Sequence, residues 1–206
     1  TTLIQKLLKE VFQNEKIAII ENEFGDVGID GGFLKNTGIQ VTEMNSGCIC
    51  CSLVGDFGKN MREVIAEYEP DHIIVEPSGV GKLSDVVKSV QELALDMDVE
   101  LSALITVVNG KKCLKQMKAF GEFFNNQLEH ASTIILSRTQ EMTEEQLIHA
   151  LGAISEKNSK AAIITTPWEK LTGKQILSAV DEKSAFIESA MEEIHHHEEC
   201  ACGCGH

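Results

Sequence analysis

Short apolar runs of strand length alternate with segments of helical periodicity, and this alternation constrains the fold more than any other feature of the sequence. The apolar runs cover residues 16–20, 38–41, 72–75, 101–108, 133–136 and 161–164. The helical patterns cover residues 2–12, 53–68, 83–95, 111–120, 144–155 and 174–194. Strands that alternate with helices usually pair in parallel, because each helix carries the chain back to the same end of the sheet. We therefore predict an α/β fold with a mostly parallel sheet and helices on both faces.

The loops that follow the predicted strands contain the unusual residues of this chain. They cover residues 21–30, 43–51, 76–82 and 137–140. Ligands of open parallel sheets bind beyond the carboxyl ends of the strands. We therefore expect these loops to surround one crevice.

Three thiols lie within four residues of one another, at Cys48, Cys50 and Cys51. Thiolates are preferred ligands of zinc and of softer metal ions, and such a cluster on a turn can direct at least two sulfurs to one centre. Glu43, just after an apolar run, is a candidate for a further ligand. The alternative is that one or two of these cysteines are small buried core residues.

A second group of metal-ligating side chains ends the sequence. Its members are His195, His196, His197, Cys200, Cys202, Cys204 and His206. Imidazoles and thiols interleaved with small residues are typical of metal-binding tracts, and this stretch has almost nothing to bury. We predict a globular domain over residues 1–190 and a metal-binding tail over residues 191–206.

Composition excludes several classes of partner. The 206 residues carry a formal net charge of -14, which argues against nucleic acid or an anionic membrane as the main partner, because phosphates must be met by clustered Lys and Arg. No apolar run approaches the roughly 20 residues that cross a bilayer. Six of the seven cysteines lie in the two tight clusters, which is typical of metal sites in a reducing compartment. We expect a cytoplasmic protein.

Four motifs occur in an order that resembles a known family. They are the opening Thr1-Thr2-Leu3, the acidic and glycine-rich stretch 22–30, the thiol segment 43–51 and the sequence Glu76-Pro77-Ser78-Gly79. Over residues 1–79 the chain resembles the CobW-like, metal-linked GTPases, which are relatives of the UreG and HypB nickel chaperones. The resemblance implies the fold of P-loop nucleotide hydrolases.

The resemblance also implies a glycine-rich phosphate loop ahead of the first helix. Thr1 would then be the hydroxyl that ligates magnesium, with Thr2 beside it. The backbone N–H groups and the lysine of such a loop hold the phosphates. We therefore expect the native polypeptide to carry a strand and this loop, about 10 to 20 residues, before Thr1.

Two further segments take their roles from the resemblance. Glu23 and Asp26 lie where the family has its first switch, so they are candidates for catalysis near magnesium or the attacking water. Glu76 would hold magnesium through water, and Gly79 would let a backbone N–H approach the γ-phosphate. The alternatives are a solvated acidic turn at the first segment and an ordinary strand-to-helix turn at the second.

The base-recognition segment departs from the family pattern. Guanine-specific relatives carry Asn-Lys-x-Asp after the strand that corresponds to residues 133–136, and here the residues are Ser137, Arg138, Thr139 and Gln140. Arg138 can stack its stem on a base and Ser137 can donate a hydrogen bond. Gln140 lacks the charge that strengthens pairing with guanine. The resemblance thus implies GTP, and the residues leave ATP open.

Together these features predict a metallochaperone that hydrolyses GTP, with Mg²⁺ at the nucleotide and Zn²⁺, Co²⁺ or Ni²⁺ at the thiols. Hydrolysis would gate transfer of the metal to a client metalloprotein or a cobalamin-type pathway. One alternative is a metal buffer or sensor with a degenerate nucleotide site. Another is an iron–sulfur or redox centre at the thiols. The sequence leaves the metal, the client and a homodimer open.

Overall fold

The computed structural model describes residues 2–21, 40–45, 53–77, 79 and 81–181. The chain divides into two compact units. The first unit spans Thr1–Gly81 and Lys88–Val99, and the second spans Lys82–Val87 and Glu100–His206.

Helices and strands alternate through both units. The strands are β1 (Lys16–Glu21), β2 (Gln40–Asn45), β3 (His72–Glu76), β4 (Ile105–Asn109), β5 (Thr133–Ser137) and β6 (Ala162–Ile164). The α-helices are α1 (Thr2–Glu10), α2 (Leu53–Tyr68), α3 (Leu83–Ala94), α4 (Cys113–Ala119), α5 (Gly121–Glu129), α6 (Glu144–Lys157) and α7 (Gly173–Asp181). Single 3-10 turns cover Gly110–Lys112, Thr139–Glu141 and Trp168–Lys170.

The sheet of the first unit has the strand order β2-β1-β3, and both pairs are parallel. Ile17, Ala18, Ile19 and Ile20 of the central strand are all buried. Since successive strand residues face opposite sides of a sheet, both faces of β1 are covered. On one face, Leu8 of α1 packs with Ile17 and Ile19.

The sheet of the second unit has the order β4-β5-β6 and is again parallel. One face carries the main core, in which β4, β5, α4, α5 and α6 meet. Its buried members are Val108, Cys113, Phe124, Leu128, Ala131, Ile134, Leu136, Ala150 and Ile154. Ile135, which faces the other side of β5, is also fully buried, so both faces of this strand are covered too.

Side-chain caps fix the two ends of α6. At its start, Thr143 Oγ1 accepts from the N–H of Gln146, and the Gln146 side chain accepts from the N–H of Thr143, which satisfies two donors that a helix start leaves open. At its end, buried Asn158 donates through Nδ2 to the carbonyl oxygens of Leu128 and Ala131, both at 2.9 Å. These bonds tie the end of α6 to the turn before β5.

The prediction of a mostly parallel α/β fold is confirmed, and two of the differences from the predicted elements lie between residues 101 and 129. Residues 101–104, predicted as strand, precede β4 and lie outside it. Leu104 hydrogen bonds through its backbone to the hydroxyl of Ser132, so its polar groups are satisfied outside the ladder. Helix α5 was not predicted, and it begins at Gly121, whose φ of +44° turns the chain out of α4.

The predicted helix 174–194 begins one residue earlier in the structure, and the structure describes it as far as Asp181. The predicted boundary at residue 190 lies outside the described residues and stays a prediction. Within the described part of the chain, no helix combines the length and apolar character needed to cross a membrane.

Candidate functional site

Three polar residues share one register row at the carboxyl edge of the first sheet. Glu21, the last residue of β1, is paired with Asn45 of β2 on one side and with Glu76 of β3 on the other. Because the three strands are parallel, their ends bring these residues to the same edge. Glu21 and Asn45 were not singled out from the sequence, and only the alignment of the strand ends reveals them.

Glu76 lies where the sequence predicted an acidic strand end. It closes the apolar strand His72–Glu76 and is half-buried. Gly79 follows three residues later, and a Cβ built there would have no described heavy atom within 4 Å. Among the described residues, no heavy atom therefore occupies the place where a side chain at position 79 would begin.

Glu43 lies inside β2, although the sequence predicted it just after a strand that ended at residue 41. The strand runs from Gln40 to Asn45, and Glu43 pairs in register with Ile19. The predicted strand was too short because Thr42, Glu43 and Asn45 break the apolar run, whereas pairing with β1 extends the strand to the same length as β1. Its role as a metal ligand stays a prediction.

Several predicted site residues lie outside the described residues. They are Thr1, Glu23, Asp26, Cys48, Cys50, Cys51, His195, His196, His197, Cys200, Cys202, Cys204 and His206. Thr2 is described and opens α1, where it is exposed. Across the described ranges, no group of three or more His, Cys, Asp or Glu side chains is arranged to hold a metal ion.

The predicted base-recognition residues lie at the carboxyl edge of the second sheet. Ser137 ends β5 and pairs in register with Asn109, the end of β4. Arg138 then adopts a left-handed conformation with φ +59°, which turns the chain into the 3-10 turn Thr139–Glu141. Arg138 and Gln140 are exposed there, and the Ser137 hydroxyl donates to the carbonyl oxygen of Val108 at 3.1 Å.

Two buried polar atoms at this edge have no hydrogen-bond partner within the described part of the chain. They are Oδ1 of Asn109 and Oγ1 of Thr139. A buried polar atom without a partner is costly and rare, so such atoms often mark a site that a ligand or water completes. Neither residue was predicted as a site residue, because a lone Asn or Thr gives no signal in a single sequence.

Close packing holds this edge in place. A Cβ at Gly110, directly after Asn109, would overlap with Sδ of Met142 and lie 3.4 Å from the carbonyl oxygen of Ser137. A side chain at position 110 would therefore force the end of Met142, which packs against the main core, to move. Lys111 adds an ion pair with Glu141 at 3.2 Å.

The Gly81-Lys82 dipeptide has a structural role. Lys82 directly precedes α3, and its ammonium group forms an ion pair with Glu122 of α5. That hydrogen bond raises the pKa of Lys82. Lys82 is therefore paired within the second unit.

The chain is similar in sequence to known proteins. The zinc chaperone YeiR of Escherichia coli K12 is 30% identical over 145 residues, which cover 70% of this chain and 44% of the relative. The zinc chaperone CobW of a Sinorhizobium species is 28% identical over 188 residues, which cover 78% of this chain and 53% of the relative. The chain thus spans about half the length of these relatives.

Among solved structures, the Zn(II)-bound YjiA GTPase of E. coli superposes with a TM-score of 0.54 at 20% identity, over 79% of this chain and 52% of that one. This similarity confirms the P-loop nucleotide hydrolase type of fold. The model of the CobW/HypB/UreG nucleotide-binding domain matches residues 1–165, about four fifths of the sequence. The chain therefore belongs to the CobW/HypB/UreG nucleotide-binding domain family.

Proposed function

We propose that this chain is the nucleotide-binding part of a GTP-dependent zinc chaperone, in which nucleotide hydrolysis gates the binding and transfer of zinc to a client metalloprotein. The observation that carries this proposal is the row of Glu21, Asn45 and Glu76 at one sheet edge, in a chain of this family. Relatives described as zinc chaperones and the Zn(II)-bound YjiA GTPase support the choice of metal and of reaction.

The first sheet edge suits the phosphate end of a nucleotide with its Mg²⁺. Carboxylate oxygens are the ligands that Mg²⁺ prefers, usually through water. We propose that Glu76 orients the waters of this ion, while Gly79, which has no Cβ, lets a phosphate oxygen come close to the backbone. Glu23 and Asp26 would position the attacking water, and Thr1 and Thr2 would complete the ion's surroundings. The bound Mg²⁺ would neutralise charge that develops on the phosphates.

The second sheet edge suits a purine base. Arg138 and Gln140 are exposed on the loop after β5, and the unpartnered oxygens of Asn109 and Thr139 can accept hydrogen bonds from N–H groups of a ligand. We propose that the stem of Arg138 covers one face of the base and that Gln140 reads its edge.

Zinc is the proposed cargo, with Cys48, Cys50, Cys51 and Glu43 as its ligands. Three thiolates and one carboxylate form a donor set of the kind that Zn²⁺ accepts in four-coordinate sites. The segment 46–52 directly follows Asn45, which lies in the same row as Glu76. A change at the phosphates therefore has a short path to the zinc ligands. The tail ligands would collect zinc and raise its local concentration.

The proposal is tested by calorimetric titration of GTP and of ATP into the protein expressed from its complete reading frame. Each titration is run metal-free and again with one equivalent of Zn²⁺. We expect zinc to change GTP affinity by at least tenfold, about 1.4 kcal/mol of coupling. The matched control replaces Cys113 with alanine. Cys113 is buried and lies far from the thiol cluster in sequence, so this variant should retain the coupling.

A triple C48S/C50S/C51S variant should bind GTP with the affinity of the metal-free protein and lose the response to zinc. If zinc leaves GTP affinity unchanged in the unmodified chain, nucleotide-gated transfer is wrong. If no nucleotide binds, the second candidate described below takes its place.

The second candidate function is a metal buffer or sensor with a degenerate nucleotide site. Two observations favour it. Gln140 is neutral at the position where guanine-specific relatives carry aspartate, and the proton of Ser137 is directed to Val108. A buffer would bind zinc with an affinity that does not depend on GTP or ATP, so the same titrations distinguish the two candidates.

A further inference from the structure

A surface of the second unit combines positive charge with exposed apolar side chains. It consists of Leu114, Lys115, Lys118, Phe120 and Phe123, and we name it the α4–α5 surface. Leu114, Phe120 and Phe123 are 43%, 54% and 41% exposed. The five residues lie within ten positions of the chain: Leu114, Lys115 and Lys118 on α4, Phe120 between the two helices and Phe123 on α5.

The packing of α4 explains why these side chains face outward. Cys113 is fully buried, and its sulfur lies 3.9 Å from that of Met117. Met117 also packs against the core. The 113/117 side of α4 therefore faces inward, while Lys115 and Lys118 lie away from it and Leu114 lies at its margin. On α5, Phe124 enters the core while its neighbour Phe123 stays exposed.

The positive charge of this surface is not neutralised within the described part of the chain. The two nearby carboxylates already have other partners, since Glu122 pairs with Lys82 and Glu141 pairs with Lys111. Lys115 and Lys118 are exposed and take part in no ion pair between described residues. Four lysines fall within residues 111–118, whereas the whole chain has a net charge of -14. This patch is therefore positive in a protein that is negative overall.

One segment of the same chain has the complementary composition. Residues 182–199 contain six glutamates and one lysine, interspersed with Phe186, Ile187, Met191 and Ile194. Acidic residues can meet Lys115 and Lys118, while the aromatic and aliphatic residues can cover the exposed rings. Opposite charges attract within a Debye length of about 8 to 10 Å at physiological salt.

We infer that the α4–α5 surface binds the acidic segment 182–199 of its own chain. Asp181 ends α7 in the same unit. Eighteen residues reach about 60 Å when extended and about 27 Å when helical, whereas a domain of 100 residues has a radius of gyration of about 13 Å. The segment is therefore long enough to reach the surface from Asp181. This inference is independent of the proposed nucleotide chemistry, because it needs neither nucleotide nor metal.

Binding at this surface has a consequence for the sequence that follows. Cys200 comes directly after the segment, so an attached segment would keep the terminal Cys and His residues close to the second unit. The effective concentration of these residues near the unit would rise without any new metal ligand.

Zero-length carbodiimide cross-linking of the full chain tests the inference. Equal amounts of ¹⁵N-labelled and unlabelled chain are mixed without metal or nucleotide, and the cross-linked peptides are identified by mass spectrometry. We expect cross-links from Lys115 or Lys118 to glutamates of 182–199 in which both peptides carry the same isotope, as they must if they come from one chain. The yield should fall at least threefold in 0.5 M salt, because salt screens exposed charges.

The variant F120S/F123S removes the apolar half of the surface and leaves every lysine in place. Its cross-link yield should fall at least fivefold. The matched control L95S/I148S replaces two apolar residues that are 84% and 59% exposed elsewhere, and it should stay within twofold of the unmodified chain. Circular dichroism confirms that both variants are folded.

Three results would overturn the inference. Cross-links between a labelled and an unlabelled peptide would identify a second copy of the chain as the occupant. Equal cross-link yields in F120S/F123S and in the control would show that the cross-links arise from non-specific collisions. Absence of cross-links to residues 182–199 would contradict the inference. If the chain, but not F120S/F123S, then binds phosphatidylserine vesicles, the surface is assigned to an anionic membrane.

Discussion

The hydroxyl of Ser137 donates a hydrogen bond to the carbonyl oxygen of Val108 across the carboxyl edge of the second sheet, over 3.1 Å. Ser137 was expected to donate to a nucleotide base, and here its proton joins β5 to β4. The oxygen keeps its acceptor capacity, since a hydroxyl has one donor and two acceptor positions. The residue is therefore part of the sheet edge as well as a candidate contact to the base.

Replacing Ser137 with alanine should lower stability more than nucleotide affinity. Loss of the bond to Val108 should reduce the free energy of unfolding by about 1 kcal/mol, and GTP affinity should stay within twofold. Urea unfolding and calorimetry measure the two quantities. Ser178→Ala, at an exposed position of α7, is the control and should change neither. A tenfold loss of affinity at unchanged stability would instead assign the Ser137 proton to the base.

Replacing Gln140 with aspartate should increase discrimination in favour of GTP. A carboxylate accepts from the N–H groups at the guanine edge with about twice the strength of a neutral acceptor. We expect the ratio of GTP to ATP affinity to rise about tenfold, which corresponds to about 1.4 kcal/mol. Competition titrations of the two nucleotides give this ratio.

The control Gln140→Asn keeps the amide and should leave the ratio within threefold of the unmodified chain. An equal rise in both variants would mean that side-chain length, and not charge, determines the preference.

Gly110 and Met142 should be energetically coupled. A methyl group at Gly110 would overlap with the Met142 sulfur, so Gly110→Ala should destabilise the fold by about 1 to 3 kcal/mol. Met142→Ala removes the obstacle. A double-mutant cycle should therefore give a coupling of at least about 0.5 kcal/mol, measured by chemical unfolding.

Gly152→Ala provides a matched control for the glycine substitution. A Cβ at Gly152 would have no described heavy atom within 4 Å, and the residue lies inside α6. This change should stabilise the fold by about 0.5 to 1 kcal/mol, because glycine is unfavourable inside a helix. Strict additivity of Gly110→Ala and Met142→Ala would contradict the predicted overlap.

Cys113 should resist alkylation in the folded protein. Its thiol should also make the free energy of unfolding depend on pH in the alkaline range. Burial in the core raises the pKa of its thiol to about 11, so the thiolate is scarce at pH 8 and iodoacetamide should react with it only after unfolding. In the unfolded chain the thiol ionises at lower pH. Stability should therefore be complete below the unfolded pKa and fall as the pH rises toward 11.

Thermal unfolding between pH 8 and 11 measures this effect. In Cys113→Ala the part of the slope due to the thiol should disappear, even though the variant is less stable at every pH. An unchanged slope would show that other groups whose pKa is raised, such as Lys82 and Tyr68, account for the alkaline loss. Rapid alkylation of Cys113 in the native protein would contradict its burial.

Local patterns were sufficient to predict most of the elements. The apolar stretches around Ile19, Ile74 and Ile135 predict strands, because strands of a parallel sheet that is covered on both faces have nearly continuous apolar sequences. Start signals such as Thr143, with Gln146 three positions later, predict a helix because they satisfy its first N–H groups. Glu76 was placed correctly at a strand end because an acidic residue interrupts the apolar run there.

Register and close approach were decided by tertiary structure alone. The pairing of Glu21 with Asn45 and Glu76 depends on which strands are neighbours and how they are aligned, and no local pattern contains that information. The unpartnered oxygens of Asn109 and Thr139 arise for the same reason, since burial by distant segments removes them from water.

Residue types and their spacing along the chain were thus sufficient to predict the type of fold, the family and the chemistry that the motifs can support. The tertiary structure decided that Glu43 belongs to a strand, that α5 separates from α4 at Gly121 and that Ser137 is bound to Val108. Each of these follows from contacts between residues far apart in sequence or from a backbone conformation that such contacts stabilise.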